Sequence, residues 1–296
     1  AYTLALELTV LGFRAARPST SRALRRTYFV LVLAGVIAYT MVVIPHFWHW
    51  DAYPNRDFSS YERLLTQARV LMMYLGQILL PLPGNLPFFY DDLQPSRGLL
   101  EPLSTLPALA AIGGLLLLGW RWRTRHPIFA LGILLFLAGH FVTSNVIGLE
   151  LAFEHRNHFP LIGAVLAVAD LLRAAFNRAN ASHRTTTAIL LALALTMGSL
   201  TTARAGVWGH AVKLAHESVE LAPQSVRAWL LLCTTYFELS GRNPKDPRFD
   251  RAIQYCEEGG ALPYSSTLLA NVVLFKGLKG TVTEMDWTRF LERLRS

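Results

Sequence analysis

The chain has few charged residues and almost no cysteine, and both shortages narrow the class of protein. Only 16% of its 296 residues are charged, whereas 52% are hydrophobic. A soluble globular domain carries about 25% charged residues. The shortage of charge therefore argues against an ordinary soluble protein and indicates a polytopic membrane protein.

Cysteine occurs only at Cys233 and Cys256. Neither lies at metal-ligand spacing, so no cysteine-bound metal is expected. Two buried free thiols are the favoured interpretation. A disulfide is the alternative, and it would require an oxidising compartment around this part of the chain.

Acidic residues are in the minority, and the formal net charge is +8. Such an excess can indicate nucleic-acid binding, but here the arginines concentrate beside apolar stretches, where the positive-inside rule accounts for them. We therefore expect no nucleic-acid partner and place three basic segments on the inner side of a membrane. These segments contain Arg14, Arg17, Arg22, Arg25 and Arg26; Arg121, Arg123 and Arg125; and Arg173, Arg178 and Arg184.

Long apolar stretches dominate the first two thirds of the chain. Several approach the 17–20 residues that are needed to cross about 30 Å of hydrocarbon. Full spans are predicted at 28–45, 103–120, 127–144, 159–176 and 186–203, with a partial span at 1–13. Because the chain begins with Ala inside that partial span, we expect it to be an N-terminally truncated piece.

The apolar segment 68–82 is interpreted differently from the full spans. A crossing there would place the basic segment 121–125 outside, so we predict an interfacial or re-entrant helix, with a sixth full span as the alternative. The resulting topology places 46–102, 145–158 and the region after 204 outside. The chain then divides into a transmembrane domain, 1–203, and an external domain, 204–296.

The external domain has a different pattern, with shorter amphipathic helices. Its aromatic and apolar positions Trp229, Leu232 and Tyr236 follow a helix with small residues and a terminal proline, as in a tetratricopeptide repeat. Small residues at Ala211, Ala215 and Ser218, with Pro223, carry this spacing. We predict a degenerate tetratricopeptide-like array with later helices at about 249–259, 265–278 and 285–295; a generic helical bundle is the alternative. Candidate partner-binding residues are Arg227, Trp229 and Tyr236.

Five ionisable side chains lie between two predicted spans, at 150–158. Charge at a membrane face is costly unless it is paired or wet, so such a cluster indicates a substrate, ion or headgroup site. A solvated loop is the alternative. The five are Glu150, Glu154, His155, Arg156 and His158.

Two stretches resemble a known family. They are 61–70 with Leu79-Leu80-Pro81, and 153–163, which contains the pattern Glu-x-Arg-x-x-x-Pro-x-x-Gly. Both are similar to the membrane portion of bacterial relatives of the transmembrane and tetratricopeptide repeat-containing O-mannosyltransferases, which have a GT-C glycosyltransferase fold. The resemblance covers most of residues 1–240, and the external tetratricopeptide-like tail strengthens it.

The resemblance implies a polyprenyl-phosphate-linked sugar as donor and a protein or envelope glycan as acceptor. A guanidinium at the membrane face suits a lipid phosphate, so Arg156 is the first candidate and Arg69 the second. Glu154 would orient Arg156 or contact the acceptor, and His155 and His158 would bond phosphate or sugar hydroxyls. An ion pair of Arg156 with Glu154 or Glu150 is the structural alternative, and a metal held by the histidines is a further, less favoured one.

The resemblance leaves the catalytic residue unknown. Enzymes of this fold carry a catalytic acid in their first external loop, and this chain begins after that region. Asp51 and Glu62 are external acids with no role that a substrate pose would support. The adjacent Asp91 and Asp92 either bind a divalent cation or face solvent.

Together these features predict an all-α protein: a polytopic, GT-C-like transmembrane domain followed by a tetratricopeptide-like helical domain. We expect a glycosyltransferase-like protein of a bacterial inner membrane, embedded in lipid, with its C-terminal domain in the periplasm. One alternative is a non-catalytic scaffold for envelope assembly. Another is a protein like the O-antigen ligases or polymerases, whose acceptor would be lipopolysaccharide.

Overall fold

The computed structural model describes residues 1–49, 53 and 56–295, and these residues form an all-helical protein. Contacts divide the chain into two compact units. The first, here called the apolar unit, comprises Ala1–Leu80 and Pro95–Ala192. The second, the C-terminal unit, comprises Pro81–Gln94 and Leu193–Ser296.

The apolar unit contains seven α-helices and the first part of an eighth in the described residues. Two π-helical turns, Glu7–Leu11 and Tyr39–Val43, continue the first and second helices. The helices are α1 (Tyr2–Leu6), α2 (Pro18–Ala38), α3 (Ile44–Phe47), α4 (Ser60–Leu79), α5 (Thr105–Trp122), α6 (Pro127–His140), α7 (Pro160–Arg178) and α8 (His183–Trp208).

Four helical stretches are long and apolar enough to cross a membrane. They are Pro18–Phe47, Thr105–Trp122, Pro160–Arg178 and His183–Trp208. The remaining predicted full span, 127–144, forms the 14-residue helix α6, which at about 1.5 Å per residue is about 21 Å long. Helix α6 ends at His140, because the carbonyl groups of Thr143 and Asn145 turn towards the side chain of Arg63.

Helices α6 and α7 cross at a pair of glycines. A Cβ atom added to Gly132 would lie 2.5 Å from the carbonyl oxygen of Gly163, and one added to Gly163 would lie 2.5 Å from that of Gly132. Only the absence of a side chain at both positions lets the two backbones approach this closely. This crossing holds the two ends of the connecting loop, residues 141–159.

Helix α4 begins at Ser60, earlier than the predicted segment 68–82. Ser59 and Glu62 form a capping box: the Ser59 hydroxyl accepts from the Glu62 amide, and the Glu62 carboxylate accepts from the Ser59 amide at 2.7 Å. Such a box satisfies two amides that have no partner within the helix. The helix ends at Leu79, and Pro81 cannot continue it.

In the described residues, the C-terminal unit contains the 3₁₀ turn Pro83–Asn85, the second part of α8 and five short helices, each of which packs on the next. The five short helices are α9 (Ala211–Leu221), α10 (Val226–Leu239), α11 (Pro247–Gly260), α12 (Ser266–Lys279) and α13 (Glu284–Arg295). The bounds of the last three agree with the predicted ones to within two residues. Close approach again depends on glycine, because a Cβ atom at Gly259 would lie 2.4 Å from the Cβ atom of Trp229.

The core of this unit corrects the expectation of free thiols. Cys233 of α10 and Cys256 of α11 form a disulfide, with their Cα atoms 5.3 Å apart. The prediction was wrong because two cysteines so far apart in sequence show no sign of their neighbourhood until the two helices are packed. Around the bond, the rings of Phe237 and Phe275 stack with centroids 4.1 Å apart.

The final helix is fixed by Asp286. Its carboxylate accepts from the backbone amide of Thr283 at 2.9 Å and from the ammonium group of Lys276, on α12, at 2.8 Å. Burial alone would raise the pKa of Asp286, but these hydrogen bonds outweigh it and the pKa is lowered. The negative charge therefore caps α13 and joins it to α12.

Candidate functional site

The loop between α6 and α7 carries the ionisable cluster that the sequence indicates. Residues Glu154–Asn157 form a 3₁₀ turn immediately before α7. Arg156 and Glu154 are half-buried, whereas His155 and His158 are exposed. The turn thus presents a partly desolvated guanidinium between two accessible imidazoles.

Arg156 is held at the turn by main-chain and ring contacts. Its guanidinium donates to the carbonyl oxygen of Glu150 at 2.6 Å and lies 5.9 Å from the ring centroid of Phe153. It also lies beside the hydroxyl group of Tyr74. The hydrogen bond to Glu150 uses the main chain.

One face of α4 supports this loop. Arg63, Gln67 and Tyr74 are spaced by four and seven residues, which at about 100° per residue places them within about 40° of one another. All three are buried. None of the three was predicted as a site residue, although polar side chains at one-face spacing in a largely apolar helix were a usable signal.

Arg63 is fully buried and its guanidinium binds the main chain of the loop. Its Nε donates to the carbonyl oxygen of Asn145 at 2.7 Å, and its terminal nitrogens donate to those of Leu149 and, at 3.4 Å, Thr143. A guanidinium has five N–H donors in a fixed plane, so it can satisfy several carbonyl groups at once. Arg63 therefore determines the path of the loop.

Gln67 and Tyr74 extend the same support towards Arg156. The amide nitrogen of Gln67 donates to the carbonyl oxygen of Leu151 at 2.9 Å. The hydroxyl of Tyr74 donates to the carbonyl oxygen of Phe153 at 3.0 Å and accepts from its amide at 2.6 Å. The loop is thus bound to α4 along its length up to the 3₁₀ turn.

Three arginines of the site act on one another electrostatically. Burial lowers the pKa of Arg63 to about 10, and the charges of Arg156 and Arg56 contribute to this shift. The three cations therefore lie close enough to repel one another. A bound anion would relieve that repulsion, and guanidinium groups are suited to phosphate or carboxylate oxygens.

Arg69 and Glu62 do not belong to this group. Arg69 lies on another face of α4, where its guanidinium is 3.3 Å from the hydroxyl of Ser96. Glu62 is committed to the capping box and to Arg97, 3.1 Å away, and although burial raises its pKa, these partners lower it overall. A carboxylate with a lowered pKa is a weak base, which disfavours Glu62 as a proton acceptor. Asp51 lies outside the described residues.

In the C-terminal unit, the predicted pair Asp91 and Asp92 contacts α10. The Asp91 carboxylate accepts from the Arg227 guanidinium at 2.9 Å and from the Ser225 hydroxyl at 2.6 Å. Asp92 accepts from the amide of Gln224 at 3.4 Å. Both residues lie in an exposed turn, in line with the solvent-facing alternative, and the carboxylate of Asp91 is also paired with Arg227.

Trp229 and Tyr236 lie between helices. The indole nitrogen of Trp229 donates to the carbonyl oxygen of Pro223 at 2.9 Å. Tyr236 is buried, and its hydroxyl is 3.0 Å from Nε2 of His216. Both residues therefore have structural roles in the C-terminal unit.

No group of three or more His, Cys, Asp or Glu side chains is placed to hold a metal ion among the residues that the structure describes. The accessible imidazoles of His155 and His158 flank Arg156 instead. Comparison with family models, curated proteins and solved structures finds no match to this chain.

Proposed function

We propose that the apolar unit binds the phosphate of a polyprenyl-phosphate-linked sugar at Arg156 and that the protein transfers the sugar to a hydroxyl acceptor. One observation carries this proposal. A half-buried guanidinium stands among other cations, on a loop that three buried side chains of α4 hold through its main chain. Such a preorganised cation can stabilise the charge that develops on a phosphate leaving group.

The surrounding residues supply recognition. His155 and His158 are exposed on either side of Arg156 and can bond phosphate oxygens or sugar hydroxyls. Glu154, in the same turn, can contact the acceptor. We place the whole site at the outer face of a bacterial inner membrane, since the adjacent basic segments follow the positive-inside rule. The residue that accepts the proton of the acceptor hydroxyl is unassigned.

The C-terminal unit would recruit the acceptor, a protein or an envelope glycan, as a tetratricopeptide-like array. Its disulfide supports a periplasmic location, because disulfides persist in oxidising compartments. Tyr236 is buried and Trp229 partly buried against the core of this unit, which favours other residues of the unit for recruitment.

The test is transfer of labelled sugar from polyprenyl-phosphate donors by the full-length protein in membrane vesicles. We expect Arg156→Ala to lower the rate by about 10²-fold or more, the loss that follows removal of a preorganised donor. The rate of Arg156→Lys should lie between those of the wild type and Arg156→Ala, because lysine keeps the charge and loses the planar pair of donors. Arg178→Ala, at an exposed arginine on the far end of α7, is the matched control.

Other outcomes separate the alternatives. Equal transfer by wild type and Arg156→Ala would return Arg156 to a structural role. If no variant transfers sugar and envelope assembly still requires the protein, the non-catalytic scaffold is favoured. Transfer to lipopolysaccharide would instead favour an O-antigen ligase-like activity.

A further inference from the structure

His140, the last residue of α6, is buried beside the proposed phosphate site. Its ring stacks on that of Tyr74, with the centroids 5.0 Å apart and an angle of 16° between the planes. The ring of Phe136 packs against it at an interplanar angle of 72°, with the centroids 4.9 Å apart. The imidazole is fully buried. Neither of its nitrogens has a hydrogen-bond partner within the described part of the chain.

Other orphaned polar atoms lie on the segments that meet here. The side-chain oxygens of Gln67, Ser144 and Asn157 are buried without a partner in the described residues. The Asn157 amide is near enough to the His140 ring to interact with it electrostatically, but the two do not form a hydrogen bond of ordinary geometry. Burying several such groups is unfavourable unless something satisfies them.

The chemistry of these atoms selects the kind of partner. The amide nitrogen of Gln67 donates to a main-chain carbonyl, which fixes its side-chain oxygen as an acceptor. Amide oxygens accept hydrogen bonds from hydroxyl groups and repel the oxygens of a phosphate. A neutral imidazole offers one donor and one acceptor, which also matches a hydroxyl.

We propose that His140, Gln67 and Asn157 form a hydroxyl-binding subsite next to Arg156. The subsite would hold the sugar of the lipid-linked donor while Arg156 holds its phosphate. The charge of Arg156 acts on both His140 and Tyr74, so the two parts of the site are neighbours. This inference rests on the proposed function and adds which part of the donor each group contacts.

The test compares two ligands on the detergent-solubilised full-length protein: polyprenyl phosphate, and the same lipid carrying mannose or glucose. We expect the wild type to prefer a sugar-linked lipid. His140→Phe keeps a ring for the stack on Tyr74 and removes both nitrogens, so the preference should fall about tenfold, the value of a lost hydrogen bond of about 1.4 kcal/mol. His183→Phe, at an exposed histidine at the start of α8 that has no part in the proposed site, is the control and should keep the preference.

The outcomes distinguish this inference from the function on which it rests. Loss of binding of both lipids in Arg156→Ala, with an unchanged preference in His140→Phe, would overturn the subsite alone. If the wild type binds neither lipid, both proposals fail. A higher melting temperature for His140→Phe with unchanged preference would show that only water satisfies these atoms, and would also overturn it. Should His140→Phe fail to fold, the same comparison of the two lipids is made with Asn157→Leu, whose preference for the sugar-linked lipid should also fall.

Discussion

The replacement of Arg63 by Met tests whether α4 positions the loop that carries Arg156. Methionine retains an apolar stem of similar length and removes every donor. Hydrogen bonds from charged groups contribute about 1.5–3 kcal/mol each, but the contact with Thr143 is long at 3.4 Å and Leu149 is exposed, so its carbonyl group can be hydrated. The main cost is the buried carbonyl of Asn145. Since release of a buried charge offsets part of it, we expect the loop to lose about 2–3 kcal/mol of local stability.

Hydrogen exchange measures this loss directly. The amide of Ile147 donates to the Asn145 side chain at 2.8 Å and that of Phe153 donates to the Tyr74 hydroxyl, so both report on order in the loop. A loss of about 2–3 kcal/mol raises their exchange rates by about 30- to 150-fold. Arg178→Met, at an exposed arginine, should leave them unchanged. Rates in Arg63→Met within a few-fold of the wild type would refute the positioning role.

Three further predictions concern the stability of each unit. Replacement of both Cys233 and Cys256 by Ala should lower the free energy of unfolding of the C-terminal unit by about 3 kcal/mol, because the bond closes a loop of 23 residues; denaturant titration with and without a reducing agent checks this. Asp286 has a lowered pKa because its hydrogen bonds outweigh burial, so its contribution is present above the usual Asp value and is lost as pH falls below about 4; exchange in α13 should rise there, and Asp286→Asn should remove that pH dependence. Gly163→Ala should cost about 1–3 kcal/mol by forcing α6 and α7 apart, whereas Gly113→Ala, which meets open space, should leave the thermal stability nearly unchanged.

The helices were predictable because their signals are local. Apolar length identified the segments that became α2, α5, α7 and α8, and the bounds of the last three helices were predicted to within two residues. Periodicity and composition act within one segment, so they can be read without a fold. The start of α4 is also encoded locally, in the Ser59 and Glu62 capping box, which hydropathy alone does not detect.

Pairings between distant segments were not predictable in the same way. The partners of Arg63 lie about eighty residues away and are carbonyl groups, which every residue possesses. Asp91 and Arg227 are 136 positions apart, so the ion pair between them could not be predicted from either residue alone. The disulfide between Cys233 and Cys256 could not be predicted for the same reason. In each case the sequence shows the side chain but not the group with which it pairs.

The contrast between two arginines shows what the fold adds to the sequence. Arg63 and Arg156 carry the same charge and lie close enough to affect each other's electrostatics. Arg63 is fully buried and directs its nitrogens to the main chain, whereas Arg156 is half-exposed at a turn. A lipid-phosphate site needs both a buried arginine that orders the loop and an accessible one that binds the ligand. A cation on an unsupported loop would lose conformational entropy when its ligand binds, and this loss would weaken binding. Under the proposed function, the charge cluster supplies the cation that binds the phosphate, and the buried polar face of α4 holds the loop that carries it.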